Sequence, residues 1–341
     1  MTKKKLNITF CSFPDFSSNA KPLYLYMKKR YGNSMNFTWI VQTDEMCLSL
    51  KNKGIKAYKI GSDDYHKYIG KTDVFFTTHA NLINDKMPNS LYIELWHGIS
   101  MKQVGFLSDN ISEHDVNWCN NLKRKVDYII LPSDFWRVIF STRYNINYSR
   151  TLALGYPKFD DFKDNKAYDK LQKVLGISLN KYKKIIYYMP TFRKNFNRID
   201  SIINYKNIFN IADYDENKLK LYLEKNKYLL CIKKHPSEEL DIPFIDSDYV
   251  KVITDDCLLK NSITVNEILD ASDLLITDYS SLGIEYNFLD KPVIYLVNDI
   301  DEYKKNRGIT FDYIDFWMPG HKISDIKNLL RSIDDCFSDN Y

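Results

Sequence analysis

The feature that most constrains the fold is a series of short, continuously apolar runs that alternate with stretches of helical pattern. Five of these runs lie in the first part of the chain: LNITFCS, NFTWIV, DVFFTT, LYIELW and DYIILPS. Four more lie in the second part: KIIYYMP, YLLCIKK, DLLITD and PVIYLV. Continuous apolar strands separated by helices are typical of a parallel sheet that helices cover on both faces. The pattern therefore predicts an α/β chain.

A segment of different sequence character separates the two series of predicted strands. The segment LGYPKFDDFKDNKAYDKLQKVLGI has a Gly-Pro turn and then a charged helical pattern. A chain of 341 residues also suggests about two domains, at roughly 100–200 residues each. We predict two doubly wound domains, an N-terminal one at 1–165 and a C-terminal one at 180–341, with the boundary at about 160–182.

Charge, cysteine spacing and the length of the apolar runs limit the partners and the location that the sequence predicts. The formal charge of +4 is small against 48 basic and 44 acidic side chains, so the sequence predicts no nucleic-acid partner. The cysteines are too far apart for CxxC or zinc-knuckle chemistry, which fits a reducing cytoplasm. The sequence has no uncharged run of 18 or more residues, so we expect a soluble protein or one attached to a membrane surface.

Several familiar site signatures do not occur in the sequence. It contains no GxGxxG, no P-loop, no HExxH and no GxSxG. The acidic triplets DYD at 213–215 and DSD at 246–248 are weak grounds for a metal site, because a chain of this size produces such triplets by chance. We therefore expect no metal.

The ends of the predicted strands are the places to look for a site, because open parallel sheets bind ligands beyond the carboxyl ends of their strands. The run LYIELWHGIS ends on Trp96, His97 and Gly98. His97 could be a titratable ring aimed at a ligand, with glycine leaving room for it. A lone histidine at such a place is more often a satisfied residue at the core edge, and both interpretations stay open.

Three further strand ends carry candidate residues. YYMPTFRK runs into an aromatic ring beside a cation, which could hold a base or ribose or could be an ordinary turn. LLCIKKHPSEE ends on two lysines and His235, which could hold phosphate or form a solvated loop. In ITDYSSLGIEY, Ser280 and Ser281 could offer N–H groups and hydroxyls to an anion at a helix start, or could only cap that helix.

Taken together and in order, these motifs resemble the CDP-glycerol glycerophosphotransferase family, which makes teichoic acids and related capsule polymers. The motifs are ELWHG, GYPKFD, MPTFR, KKHP, ITDYSSLGIEY and NRGITFDY with a later MPG, and they span roughly residues 73–320. The resemblance implies a GT-B-like fold, in which two Rossmann-like domains with parallel sheets face a central cleft. It also implies transfer of a glycerol-phosphate or ribitol-phosphate unit from CDP-glycerol or CDP-ribitol to an acceptor hydroxyl, with release of CMP.

The resemblance assigns roles to residues of this chain by motif. His97 is implied as the general base, and His235 as a second catalytic residue that contacts the donor phosphates. To the donor site the resemblance, together with the strand-end analysis, assigns Trp96, Gly98, Ile99, Ser100, Lys158, Thr191, Phe192, Arg193, Lys234, Ser280, Ser281, Glu285 and Arg307.

The chain departs from the family pattern at several of these positions. Ile99 and Ser100 stand where Thr-Pro is usual, and Phe192 replaces a common tryptophan. Lys158 stands for the usual arginine, which keeps the charge but loses bidentate phosphate recognition.

The resemblance also implies partners and a location. The acceptor would be a lipid-linked or polymeric glycan or phosphopolyol, and the enzyme would be cytoplasmic or peripheral on the inner face of the cell membrane. Two alternatives stay open: a GT-B glycosyltransferase or epimerase that acts on a nucleotide sugar, and a non-catalytic nucleotide-binding module that regulates polymer assembly.

Overall fold

The computed structural model describes residues 4–83, 89–191, 207–233 and 247–338. Within these ranges the strands form two sheets in which all neighbouring strands are parallel. The first sheet contains β1 (Leu6–Cys11), β2 (Met35–Val41), β3 (Ala57–Lys59), β4 (Val74–Thr77), β5 (Leu91–Glu94), β6 (Tyr128–Leu131) and β7 (Thr151–Ala153). The second contains β8 (Lys184–Tyr188), β9 (Tyr228–Ile232), β10 (Val250–Val252), β11 (Leu274–Thr277), β12 (Val293–Leu296) and β13 (His321–Ile323).

Helices connect the parallel strands in both halves of the chain. Those of the first half are α1 (Ala20–Tyr31), α2 (Asp44–Asn52), α3 (Asp63–Ile69), α4 (Glu113–Lys125), α5 (Asp134–Tyr144) and α6 (Phe159–Phe162). Those of the second half are α7 (Ala167–Leu175), α8 (Glu216–Asn226), α9 (Asp255–Asn261), α10 (Ser281–Tyr286), α11 (Ile300–Arg307), α12 (Ile314–Trp317) and α13 (Ile326–Cys336). No helix in the described part of the chain combines the length and the apolar character needed to cross a membrane.

The helix starts follow local sequence signals. Ser112 precedes α4, and its hydroxyl accepts the Asp115 N–H at 3.1 Å while the Asp115 carboxylate accepts the Ser112 N–H at the same distance. This capping box satisfies two N–H groups that the first helical turn would otherwise leave unpaired. Thr43 and Thr254 cap α2 and α9 through their hydroxyls in the same manner.

The continuous apolar runs are buried as a doubly covered sheet requires. All four residues of β11 and all four of β12 are buried. In the first sheet the core is aromatic, with the ring of Phe10 stacked on Trp39 at 5.4 Å. In the second it is mainly aliphatic and includes Ile186, Ile276 and Leu329.

The chain separates into two compact units. Unit 1 contains residues 1–97 and 103–161, and unit 2 contains residues 98–102 and 162–341. The sequence analysis assigned segment 98–102 to the N-terminal domain, but this segment packs with unit 2. The chain therefore passes from unit 1 to unit 2 at the His97–Gly98 peptide bond and returns after Lys102.

Strand order defines where ligands of each unit would bind. The first sheet has the order β3-β2-β1-β4-β5-β6-β7, and the second has β10-β9-β8-β11-β12-β13. The direction of winding reverses between β1 and β4 in unit 1, and between β8 and β11 in unit 2. In doubly wound sheets ligands bind outside the carboxyl ends of the strands at such reversals.

Candidate functional site

His97 lies just beyond the carboxyl end of β5 in unit 1. Its side chain is exposed, and its Nδ1 lies 3.1 Å from the backbone oxygen of Thr78, which follows the adjacent strand β4. A carbonyl oxygen can only accept a hydrogen bond, so this contact assigns the ring proton of a neutral His97 to Nδ1. Nε2 is then the basic nitrogen.

Two aromatic rings stack on the imidazole of His97. The His79 ring lies at a centroid distance of 4.0 Å with an interplanar angle of 9°, and the Trp96 ring lies at 4.9 Å and 19°. Trp96 is buried and has a φ of 56°, in the left-handed region that ordinary residues rarely adopt. This conformation costs about 1–2 kcal/mol, and it turns the chain so that His97 emerges beside a buried tryptophan.

Glu94 stabilises the turn at Trp96 from inside unit 1. Its Oε1 accepts the Trp96 N–H at 2.8 Å. Burial raises the pKa of this carboxyl well above its usual value, an effect that the N–H groups of Trp96 and Ala80 oppose. Because the carboxyl is fully buried beneath the strand end, we assign it a structural part in the turn.

Asn19 and Lys158 hold the main chain around His97. The Asn19 amide donates to the Leu95 and Trp96 carbonyls at 3.0 and 2.9 Å, and its Oδ1 accepts the Lys158 N–H at 3.2 Å. The Lys158 ammonium in turn donates to the backbone oxygen of His97 at 2.9 Å. Both side chains are buried. Lys158, which the sequence assigned to the donor phosphates, therefore contacts the peptide that follows the histidine.

In unit 2 the segment that follows His97 is anchored on α10. The Ile99 N–H donates to Oε1 of Glu285 at 2.9 Å, and both residues are buried. A Cβ at Gly98 would lie 2.9 Å from Oγ of Ser281 and 3.3 Å from Oε1 of Glu285. Gly98 is therefore required for close approach of this backbone to α10.

Lys102 connects the same segment to the winding reversal of unit 2. Its Nζ donates to Oγ1 of Thr191 at 2.8 Å, and the Thr191 N–H donates to the Asp278 carboxylate at 2.7 Å. Thr191 follows β8 and Asp278 follows β11, the two strands between which the winding reverses. The Thr310 N–H also donates to the Met101 carbonyl at 2.7 Å.

The helix start at Ser280 and Ser281 has the local geometry of a cap. Ser280 is the N-cap of α10, and its hydroxyl accepts the Leu282 N–H at a long 3.4 Å. The capping interpretation is confirmed, and anion binding at this helix start stays a prediction. Arg307 is partly buried and is the last residue of α11, one residue before the turn at Gly308.

The structure gathers the predicted site residues in two groups. In unit 1, Trp96, His97 and Lys158 lie together. In unit 2, contacts join Gly98 and Ile99 to Ser281 and Glu285, while Ser100 accepts the Lys102 N–H at 3.2 Å. Thr191 joins this second group through Lys102. Four further predicted residues, Phe192, Arg193, Lys234 and His235, lie outside the described residues.

Several residues of the site were missed by the sequence analysis. His79 directly follows the run DVFFTT, and Asp278 is the last residue of the run DLLITD, so the rule that ligands bind at strand ends could have found both residues. Lys102 lies five residues beyond His97 and has no pattern of its own. Asn19 and Glu94 act through buried contacts between segments distant in sequence, which no local pattern indicates.

Other polar residues noted in the sequence have structural partners. In DYD, the Asp213 carboxylate accepts the Ile326 N–H and Asp215 caps α8. Lys233, the first lysine of KKHP, pairs with Asp255 at 3.1 Å. Among the residues with described positions, no group of three or more His, Cys, Asp or Glu side chains is placed to hold a metal ion.

Comparison with known proteins identifies relatives over the whole chain. The chain is 27% identical over 344 residues to a teichoic acid glycerol-phosphate primase of Bacillus subtilis. This alignment covers 95% of this chain and 82% of that protein. The chain is also 31% identical over 242 residues to a teichoic acid poly(ribitol-phosphate) polymerase of Bacillus spizizenii. This alignment covers 68% of this chain and 36% of that protein. The chain spans 43% of a teichoic acid poly(glycerol phosphate) polymerase of Staphylococcus epidermidis at 28% identity.

A solved structure gives the same fold. The wall teichoic acid polymerase TagF aligns with a TM-score of 0.76 and 25% identity, over 98% of this chain and 80% of that chain. With the two parallel sheets, this likeness confirms the predicted GT-B-like class of two Rossmann-like domains. A family model described as CDP-glycerol:poly(glycerophosphate) glycerophosphotransferase matches residues 1–341. The chain belongs to this family.

Proposed function

We propose that this chain transfers a polyol-phosphate unit from CDP-glycerol or CDP-ribitol to an acceptor hydroxyl in teichoic acid or capsule polymer synthesis, and releases CMP. The observation that carries the proposal is the geometry of His97, an exposed imidazole whose Nδ1 is bound to the Thr78 carbonyl at a strand end. The names of the relatives, which are glycerol-phosphate and ribitol-phosphate transferring enzymes, support the choice of reaction.

His97 is the general base in this proposal. The acceptor oxygen attacks the β-phosphorus of the CDP-polyol, its proton passes to Nε2 of His97, and the bond from that phosphorus to the CMP oxygen breaks. General base catalysis of this kind contributes about 10²- to 10⁴-fold in rate. The CMP phosphate has a second pKa of about 6, so it leaves with little need for protonation.

The residues of unit 2 would hold the donor. Phosphoryl transfer proceeds through a loose transition state that spreads charge over the phosphate oxygens, and fixed positive groups and N–H donors stabilise it. Lys102 and Thr191 lie at the winding reversal, where a donor phosphate would bind, and the Ser281 hydroxyl and Arg307 are further donors. The family resemblance adds Lys234 and His235 to this set, and we propose that no metal is needed.

The acceptor proposed is a lipid-linked or polymeric phosphopolyol or glycan. Such an acceptor would bring the enzyme to the cytoplasmic face of the cell membrane as a peripheral protein. Flotation with vesicles that contain a lipid-linked acceptor, compared with vesicles without it, tests this location. Equal flotation with both kinds of vesicle would show that the acceptor does not bring the protein to the membrane.

CMP release is the direct test of the function. The purified chain is incubated with CDP-glycerol, CDP-ribitol or UDP-sugars, each with phosphopolyol oligomers or lipid-linked glycans as acceptors. We expect acceptor-dependent CMP release with a CDP-polyol, loss of this activity by about 10²-fold or more in His97→Ala, and an unchanged affinity for the donor. His66→Ala, which changes an exposed histidine of α3, serves as the control.

Each alternative has its own outcome in this experiment. Turnover of UDP-sugars without turnover of CDP-polyols would replace the proposal with the nucleotide-sugar enzyme. Tight binding of cytidine nucleotides with no CMP release would indicate the regulatory module. Full activity of His97→Ala would remove His97 from the mechanism.

A further inference from the structure

His79 stands out because it belongs to none of the motifs that carry the family resemblance. It follows β4 at the winding reversal of unit 1, two residues after the strand ends. Its ring lies parallel to that of His97, with centroids 4.0 Å apart and planes 9° from parallel. Side chains that approach so closely and so nearly parallel restrict each other's rotation.

The His79 ring is itself firmly held. Its Nδ1 lies 2.9 Å from the Thr78 hydroxyl, and that hydroxyl oxygen accepts the Phe13 N–H at 3.2 Å. Since the oxygen already accepts one hydrogen, its own proton is available to Nδ1 of His79. The Phe13 ring meets the His79 ring edge to face at 5.8 Å. The segments that follow β1 and β4 thus fix the plane of His79 together.

We propose that His79 is a positioning residue for His97. The dipeptide Thr78–His79 holds the His97 ring twice, through the Thr78 carbonyl on Nδ1 and through the stacked His79 ring on its face. The first contact selects the tautomer and the second fixes the ring plane, so that Nε2 faces the acceptor hydroxyl. This inference rests on the proposed function of His97 as a base.

The charge on His79 matters as much as its position. Burial lowers the pKa of His79 well below its usual value, and the neighbouring His97 lowers it further. A lowered pKa favours the neutral form of His79, so in this proposal the acceptor's proton passes to His97 and not to His79. Among the described residues, two further ionisable groups contact the main chain beside His97: the Lys158 ammonium donates to the His97 carbonyl, and the Glu94 carboxylate accepts the Trp96 N–H.

Two substitutions of His79 distinguish the effect of its stacked ring from the effect of its ring nitrogens. His79→Ala removes the ring, whereas His79→Phe keeps an aromatic face against His97 and loses only the hydrogen bond to Thr78. For His79→Ala we expect kcat to fall about 10- to 100-fold with little change in the KM for the CDP-polyol, since the orientation of the base is lost and the donor site is untouched. His79→Phe should recover most of this loss, and His66→Ala should match wild type.

Nitrogen-15 spectra of the imidazoles give a readout that does not depend on activity. In the wild-type protein we expect His97 to show one tautomer, with the proton on Nδ1, and ring-current shifts from its stacked neighbours. In His79→Ala the His97 ring is no longer held in its plane, so we expect smaller ring-current shifts and a weaker hydrogen bond from Nδ1 to the Thr78 carbonyl, which then selects the tautomer less strictly. His79→Phe should keep both the shifts and the single tautomer. The His97 signals are assigned by their loss in His97→Gln.

The outcomes distinguish the two proposals. Wild-type kcat in His79→Ala, or an unchanged His97 spectrum in that variant, would overturn the positioning role of His79. An active His97→Ala would overturn the assignment of the base, while the spectra would still decide whether His79 fixes the ring.

Discussion

Gly98→Ala tests the close approach between the segment that follows His97 and α10. The new Cβ would lie 2.9 Å from Oγ of Ser281 and 3.3 Å from Oε1 of Glu285. Glu285 cannot move freely, because its Oε1 accepts the Ile99 N–H at 2.9 Å. The φ of Gly98 lies outside the left-handed region, so an alanine has no backbone penalty and the cost is steric. Overpacking of this kind costs about 1–3 kcal/mol.

A second substitution should relieve this cost. Ser281→Ala removes the oxygen at 2.9 Å and leaves the Ser281 Cβ at 3.4 Å, an ordinary contact distance. We expect the double variant Gly98→Ala/Ser281→Ala to be more stable than the sum of the two single effects predicts. For residues in direct contact, the coupling energy is about 0.5–3 kcal/mol.

Thermal and denaturant unfolding measure the stability of the wild type, the two single variants and the double variant, which together form a double-mutant cycle. A loss of 1 kcal/mol lowers the melting temperature by about 2–4 °C in a domain of about 150–250 residues. Gly70→Ala is the matched control, because Gly70 has an ordinary φ of −67° and a Cβ there would meet no atom within 4 Å. Equal stability of Gly98→Ala and Gly70→Ala, or strict additivity in the cycle, would refute the reasoning.

Three further predictions concern buried polar contacts. Glu285→Leu leaves the Ile99 N–H without its acceptor and should cost about 1–3 kcal/mol in denaturant unfolding, whereas Glu285→Gln keeps an acceptor and should cost less. Asn19→Ala removes three hydrogen bonds and should lower the unfolding free energy by about 2–3 kcal/mol; wild-type stability would contradict this. Burial holds the pKa of His79 below its unfolded value of 6.5, so only the unfolded state gains this proton just below that pH. The contribution of His79 to the unfolding free energy should therefore be complete above about pH 6.5 and decrease as the pH drops. In unfolding measured between about pH 5 and pH 8, His79→Phe should lack this pH dependence.

Local patterns predicted much of the fold. The nine apolar runs identified in the sequence contain nine of the strands in the described residues, and the alternation with helices predicted that the sheets are parallel. The shorter strands β3, β7, β10 and β13 have only three residues each, too few for a recognisable apolar run. Such strands form at or near the edges of sheets that longer neighbours have already built.

The candidate site was predictable in part. Glycine, histidine and hydroxyl residues at strand ends pointed to His97, Thr191 and Ser281. The pairing of Ile99 with Glu285 could not be predicted, because the two residues lie 186 positions apart and nothing in either local stretch indicates the other. The same holds for Lys102 and Thr191, which are 89 positions apart.

The sequence alone determined the class of the sheets, the strand ends that carry the candidate site residues, and the family resemblance, because apolar periodicity and short motifs are local properties of the chain. Only the tertiary structure decided which unit each residue joins and which side chains meet. Segment 98–102 packs with unit 2 although it follows a strand of unit 1, and the His79 ring lies against His97 because β4 and β5 are neighbours in the sheet. Contacts between distant segments depend on strand order and packing, and these are fixed only when the whole chain folds.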